Sequence, residues 1–310
     1  MNFMKEGDFM EISQNKKRET VKLVKKHYSL YLMILPVIVF MAIFSYFPLI
    51  RGFIMSLQET RLLGDSEFVG LANYIDVLQD HFFWQSMVNT LIIGGGILAF
   101  GFIAPIITAV ALNEVQNLFF KKITQTVIYL PHLFSWVIIG GIWIFMLSPN
   151  GGLVNEVLLF FGRNEIHFFA SLRYARGIMI SSSVWRDMGY SSIIYLAAIA
   201  AINPTLYEAA RMDGATKWQE ITKITIPQLF PTMQVVILLN MMGILRIFDQ
   251  IFVMRNPAIA RNVNVLMIYT FERGILHFQM GIATAASFLV IAATIVLVFL
   301  SRKIIKYDAE

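Results

Sequence analysis

Charged, aromatic and small residues crowd into one short stretch, INPTLYEAARMDGATKWQEITKITIPQLFP, residues 202–231, between strongly apolar segments. Glu208 and Asp213 offer acidic contacts, and Leu206, Tyr207, Met212 and Trp218 offer an apolar surface. Ala209 and Ala210 permit close backbone approach, and Gly214 allows a turn between two helical pieces. This is the chemistry of recognition rather than of bond making. An ordinary amphipathic helix at the membrane interface is the alternative, but it needs no small-residue face, central glycine and tryptophan in one element. A knob for a partner on the same side of the membrane accounts for all three.

A second set of candidates lies inside apolar segments. Charge there is costly and faces a polar cavity or a partner. Arg246 and Asp249 are three apart, which places them on one helix face within reach of each other. Asn240 and Gly243 fall on roughly that side, suggesting a cavity or subunit-interface stripe; alternatively, Arg246 snorkels to the outer boundary and Asp249 neutralises it. Arg186 and Asp187 are adjacent, point in different directions and suit the external entrance of the fourth span. For a sugar the useful groups are aromatic faces with amide and hydroxyl partners, which nominates Ser135, Trp136, Tyr190, Tyr195, Asn240 and Gln250. Each aromatic also has a packing reading, because the chain holds 26 Phe and 11 Tyr.

Other chemistry is excluded or disfavoured. Cys is absent, which removes thiol catalysis, disulfides and cysteine-ligated metals. No carboxylates or histidines cluster as in an enzyme. No histidine pair has metal-ligand spacing, so no metal site is expected and His132 reads as a structural or interface residue. No glycine-rich phosphate loop is present, so any ATP chemistry is supplied by another chain.

These groups must be positioned by a membrane framework. The chain has 310 residues, 57% hydrophobic and 15% charged, with mean hydropathy +0.65. Soluble proteins carry about 25% charge. Apolar runs at about 31–50, 88–112, 123–147, 178–201, 230–254 and 282–300 approach or exceed the roughly 20 residues that cross a bilayer. The fold class is therefore all-α, a polytopic membrane protein with six transmembrane helices. A cytoplasmic tail 1–30, amphipathic over 12–30, precedes a membrane domain 31–301, and a short tail 302–310 follows. Residues 51–87 and 148–177 form external loops with short helices at the interface. The first apolar segment is too long for a cleaved signal and lacks a small-residue cleavage site.

Lysine and arginine set the orientation. Fifteen of the 25, including every lysine, fall on the side of the two termini and the 202–231 loop; the other ten are arginines. Both termini and the loop therefore face the cytoplasm. The basic pI near 9.3 reflects this anchoring and not nucleic-acid binding, because no basic face with interleaved polar readers occurs. In the loop itself Asn203 suits an N-cap, Pro204 a first turn, and TLYEAARM a helix. ATKWQEITKI restarts a helix after Gly214, and Pro227 and Pro231 frame the start of the fifth span. The runs Gly94–Gly96 and Ala197, Ala198, Ala200 and Ala201 suit tight helix packing.

The spacing Glu-Ala-Ala, three residues, Gly, nine residues, Ile, one residue, Leu, Pro resembles the signature loop of binding-protein-dependent ABC importer permeases. It is carried here by Glu208, Ala209, Ala210, Gly214, Ile224 and Pro227, with Ile226 where the family usually has Leu. The segments VGLANY (69–74), FFWQSMVNTL (82–91), 112–141 and 191–215 look like the oligosaccharide/polysaccharide branch of the carbohydrate permeases, and the resemblance runs from about residue 25 to the C-terminus.

The resemblance implies a type I importer fold in a bacterial cytoplasmic membrane. It implies a second, homologous permease subunit, two copies of a cytoplasmic ATPase that hold ATP and Mg, and an extracytoplasmic binding protein that delivers an oligosaccharide or polysaccharide fragment. Tyr207, Glu208, Ala209, Ala210, Asp213, Gly214, Trp218, Ile224 and Pro227 would then form the ATPase-coupling element. Arginines on the outer side suit an acidic oligosaccharide, or equally lipid headgroups. An ion-coupled secondary transporter is the alternative, but no internal repeat supports it and the loop would stand idle.

Overall fold

Every segment expected to cross the membrane is helical, and prolines, glycines and polar residues decide where the helices break. The computed structural model describes residues 26–60 and 66–305, with side chains as far as Leu300. The expected amphipathic tail before residue 26, the side chains of 302–305 and residues 306–310 lie outside this description.

The first unit, up to Met55, holds α1 (Tyr28–Met41) and a π turn, Ala42–Tyr46, leading into α2 (Phe47–Ser56). These form one 29-residue apolar helix despite Pro36. In the second unit, β1 (Gln58–Glu59) and β2 (Glu67–Phe68) pair antiparallel, Gln58 opposite Phe68. This small hairpin departs from the all-helical expectation for the external loop. It is tied down by Asn73, whose amide donates to the Ser56 and Gln58 carbonyls at 2.9 and 3.0 Å.

Then follow α3 (Ala72–Gln79), α4 (His81–Glu114), α5 (Leu118–Leu133), α6 (Trp136–Met146), α7 (Leu153–Phe160) and α8 (Leu172–Ala200). The remaining helices are α9 (Pro204–Met212), α10 (Lys217–Glu220), α11 (Ile226–Ile244), α12 (Asp249–Met254), α13 (Ala260–Val263), α14 (Leu266–Phe271) and α15 (Met280–Ile305). Among the described residues, four uninterrupted helices are long and apolar enough to span a membrane, and the number reaches six if each of two bent helix pairs counts as one span. The protein is a multi-pass, all-α membrane protein.

Several boundaries differ from the sequence expectation for identifiable reasons. The third span is two helices, α5 and α6, meeting at 104°. The chain turns extended at Phe134 and Ser135, three residues after Pro131. The fourth span begins at Leu172 and not near 178, so Arg186 and Asp187 lie halfway along α8 and not at its external entrance. They do not point apart either: Arg186 Nη1 donates to Asp187 Oδ1 at 2.9 Å.

The fifth span ends at Ile244. Arg246 therefore sits in a turn and Asp249 opens α12, and no ion pair joins them among the described residues. Downstream of α10 a π turn, Ile221–Thr225, feeds directly into α11. The prolines expected to frame the start of this span lie inside its first turns. Pro227 cannot donate a backbone hydrogen bond, and the irregular π turn just before it accommodates that loss.

Among the described residues, three apolar clusters hold the second unit. One, of Ile106, Ala109, Tyr195, Ile199, Leu229, Met233 and Val236, joins α4, α8 and α11 near the end that carries α9 and α10. The others involve the opposite half of α4 and the segment 244–268, where Val263, Val265, Leu266 and Ile268 are fully buried. Buried polar groups pin that segment. The Asn89 amide donates to the carbonyls of Arg261 and Asn264, and Arg176 Nη2 donates to Asn89 Oδ1 at 2.8 Å.

Small residues act unevenly. A Cβ on Gly94 would meet the Ile244 side chain and one on Gly96 the Ile180 side chain, but Gly95 faces open space. Of the alanines after 196, Ala197, Ala200 and Ala201 are exposed, and α8 packs instead through Ser192, Tyr195 and Ile199.

Candidate functional site

The loop between α8 and α11 is built by local caps. Asn203 Oδ1 accepts from the Thr205 amide at 3.0 Å, and Pro204 occupies the first turn of α9. At the other end the Gly214 N–H donates to Arg211 O and the Ala215 N–H to Ala210 O. These two bonds make a Schellman closure around Gly214, whose φ is +77°. Thr216 and Gln219 then form a capping box that starts α10.

The loop is fastened to the bundle by one buried carboxylate. Glu220, 3% exposed, accepts from Arg211 Nε at 2.7 Å and from Lys217 Nζ at 3.1 Å. Lys217 also reaches Glu114 Oε2 at 3.2 Å, at the end of α4. Thus α9, α10 and α4 share one ionic network. Sequence reasoning missed Glu220, although its spacing of three from Lys217 was a signal. Replacing Glu220 by alanine is expected to release both cations and loosen the backbone of α9 and α10 around them. Limited trypsin digestion of the detergent-solubilised protein should then cut after Arg211 and Lys217 several-fold faster, and an unchanged rate would contradict the clamp.

The face presented outward is mixed. Leu206, Glu208, Ala209, Asp213 and Gly214 are exposed; Met212 and Trp218 are exposed by 89% and 73%, and Pro227 is exposed too. Ala210 and Ile224 are half-buried. Tyr207 turns inward, its hydroxyl 2.9 Å from Thr225 Oγ1.

Inside the bundle a cavity of about 330 Å³ lies between α4, α6, α8 and α11. Trp136, Asn240, Arg246, Asp249 and Gln250 line it, so five of the eight residues nominated from sequence converge there. Ser183, Asp187 and Ser191 join them and were not nominated for this wall. Their spacing of four along α8 was the legible signal. Gln250 is oriented by donating to Ser182 Oγ at 2.7 Å. The three others fall elsewhere. Tyr195 is fully buried among aliphatic side chains, its hydroxyl without a hydrogen-bond partner among the described residues. Tyr190 stacks on His132 at 4.0 Å, and Ser135 opens α6; neither lines the cavity.

Beside the cavity the α5–α6 break is bound by charge. Arg186 Nη2 donates to the carbonyls of His132 and Phe134, and its guanidinium lies 4.9 Å from the Trp136 ring centroid. The His132 imidazole meets Asp187 Oδ1 at 2.8 Å. Arg186 therefore satisfies carbonyls that the broken helix leaves open and neutralises Asp187 on the cavity wall. His132 holds this corner, as its structural reading expects.

At the far end of α4, Asp80 caps the helix by accepting from the Phe82 amide and is bound by Tyr269 and Arg273. Burial pushes its carboxyl up, but these hydrogen bonds and the Arg273 charge outweigh that and hold it below the usual carboxylate range. Burial first, then Asp80, pushes the Tyr269 phenol above its usual range. At neutral pH this latch is an aspartate, a neutral phenol and a guanidinium.

The arrangement contains a polar cavity inside an apolar bundle and a capped two-helix loop at one end of it. The family model described as "Binding-protein-dependent transport system inner membrane component" matches residues 101–306, which include the loop and the cavity wall except its Gly94, Ile97 and Leu98 part. The chain belongs to this family. It is a permease subunit, and it works with a solute-binding protein and a separate ATPase.

Among curated relatives, the polygalacturonan/rhamnogalacturonan transport system permease protein YteP of Bacillus subtilis (strain 168) is 35% identical, covering 96% of this permease and 93% of the relative. Protein LplB of the same organism is 30% identical over 93% and 92%. Among solved structures, a chain of a bacterial ABC transporter involved in the import of the acidic polysaccharide alginate superimposes with a TM-score of 0.86. It is 35% identical, with 94% of this permease and 100% of that chain covered.

Proposed function

We propose that this permease subunit of a carbohydrate importer carries fragments of an acidic polysaccharide inward through the cavity around Trp136, Asn240 and Gln250. The observation that carries the reading is this cavity inside a chain similar to YteP, named for polygalacturonan/rhamnogalacturonan transport, and to a transporter that imports alginate. Amides and serines suit sugar hydroxyls, Trp136 suits a ring face, and Arg246 suits a carboxylate. The loop 202–231 seats on a cytoplasmic ATPase through Leu206, Glu208, Met212, Asp213 and Trp218. Two ATPase copies, a second homologous permease subunit and an extracytoplasmic binding protein complete the machine, with both termini cytoplasmic. ATP-driven closure of the ATPase pair would move the loop, and the Glu220–Lys217–Glu114 network would pass that motion to α4.

The assembled importer in proteoliposomes, with its binding protein, tests the cargo. ATP-dependent uptake of galacturonate or other uronate oligomers is expected, with little uptake of neutral oligomers of equal length. Uptake confined to neutral sugars would remove the acidic assignment. The ion-coupled alternative loses its ground, because binding-protein-dependent systems rely on a separate ATPase.

A further inference from the structure

A second and larger hollow, about 620 Å³, opens at the Asp80 end of α4, the end opposite the 202–231 loop. A 34-residue helix is about 50 Å long, so the two features are well separated. Its wall includes His81, Phe82, Arg261, Asn264, Arg273 and His277. The volume falls in the range of small-molecule sites.

Its charges are not all equivalent. Arg273 is bound by Asp80, and the one lining carboxylate, Glu272, is bound by Arg255 at 2.5 Å. Arg261 is exposed and has no ion-pair partner among the described residues. Its backbone is nevertheless held, because its carbonyl accepts from Gln85 Nε2 at 2.9 Å and from Asn89 Nδ2 at 3.0 Å. A guanidinium on a fixed backbone with no internal carboxylate is suited to a bidentate carboxylate ligand. Phe82, 64% exposed and edge-on to His81, offers an aromatic face in the same wall. The inner cavity differs, since Asp187 and Asp249 line it beside Arg246.

We propose that this outer hollow is a receiving subsite for a carboxylated saccharide, with the Arg261 guanidinium taking a uronate carboxylate and Phe82 the ring face. The subsite rests on the acidic-cargo reading above. It would hold the chain between its release from the binding protein and its arrival in the inner cavity, and it makes selection for charge begin outside the membrane.

Binding of tetragalacturonate to the complete importer complex in detergent, without binding protein, tests this by titration calorimetry. Arg261→Gln is expected to weaken binding about tenfold, the loss of one charge-assisted carboxylate contact. Phe82→Leu is expected to weaken it by a smaller factor, and Arg163→Gln, on the exposed turn after α7 and lining neither hollow, to leave it nearly unchanged. Both outer residues are exposed, and equal thermal midpoints would verify intact folding. Binding that is lost in Arg246→Gln but kept in Arg261→Gln would overturn the subsite and leave the acidic cargo standing. Binding of neutral maltotetraose with none of tetragalacturonate would overturn both.

Discussion

A Gly214→Val permease is expected to insert in the membrane and to lose nearly all ATP-driven uptake together with binding-protein-stimulated ATPase activity. A Cβ at Gly214 would meet nothing within 4 Å, so space is not the constraint. The backbone is: φ is +77°, where an L residue costs roughly 1–2 kcal/mol and a β-branched one more. Valine would escape by rotating that peptide, which opens the two hydrogen bonds closing α9 and swings α9 away from α10. Met212 and Trp218, on opposite sides of the turn, would no longer share a surface. Gly214→Asn provides the control, because asparagine tolerates the left-handed region and should keep most activity. Equal loss in both variants would show that the side chain itself, and not the turn, interferes. Full activity in the valine variant would remove the loop from coupling.

The second large effect is expected at Gly189, in the middle of α8. A Cβ there would lie 2.1 Å from the Ile128 carbonyl oxygen, a backbone atom of α5. Between membrane helices, close backbone approach is itself a main source of attraction. Alanine would force α5 and α8 apart beside the His132–Asp187–Arg186 corner, at a cost near the upper end of overpacking, about 3 kcal/mol. The thermal midpoint of the detergent-solubilised complex should fall, and the inner cavity should lose its shape. Gly177→Ala on the same helix is the comparison. It faces open space and exchanges glycine for the best helix former, so it should be neutral or slightly stabilising. Equal midpoints for the two variants would contradict the close-contact argument.

Much of the framework was legible because membrane chemistry is strict. Apolar runs long enough to cross a bilayer must be helical, because no water there can satisfy an open backbone. The α9 boundaries were equally local: an Asn-Pro start and a glycine stop are properties of a few adjacent residues, and α9 obeys both. Arg246 and Asp249 show where such reasoning stops. Three-residue spacing makes a pair only on a continuous helix, and the chain leaves the helix after Ile244. Tyr195 shows the same for an aromatic, since nothing in the hydroxyl of a tyrosine tells whether its ring faces a cavity or the Leu229–Met233 side chains.

Repeated membrane crossing, the lack of a phosphate loop and the two-helix loop around Gly214 are all written in local stretches of residues. These follow from composition, periodicity and capping, which act within one turn or one span. Three features come from packing alone: Glu220 and Lys217 bind the loop to α4, Arg186 fills the break at Phe134, and Ser183, Asp187 and Ser191 meet Asn240 and Gln250 around one cavity. Each joins residues dozens of positions apart in the chain or turns on which face of a helix is buried. Local chemistry can propose such partners, but only packing brings them within hydrogen-bond distance.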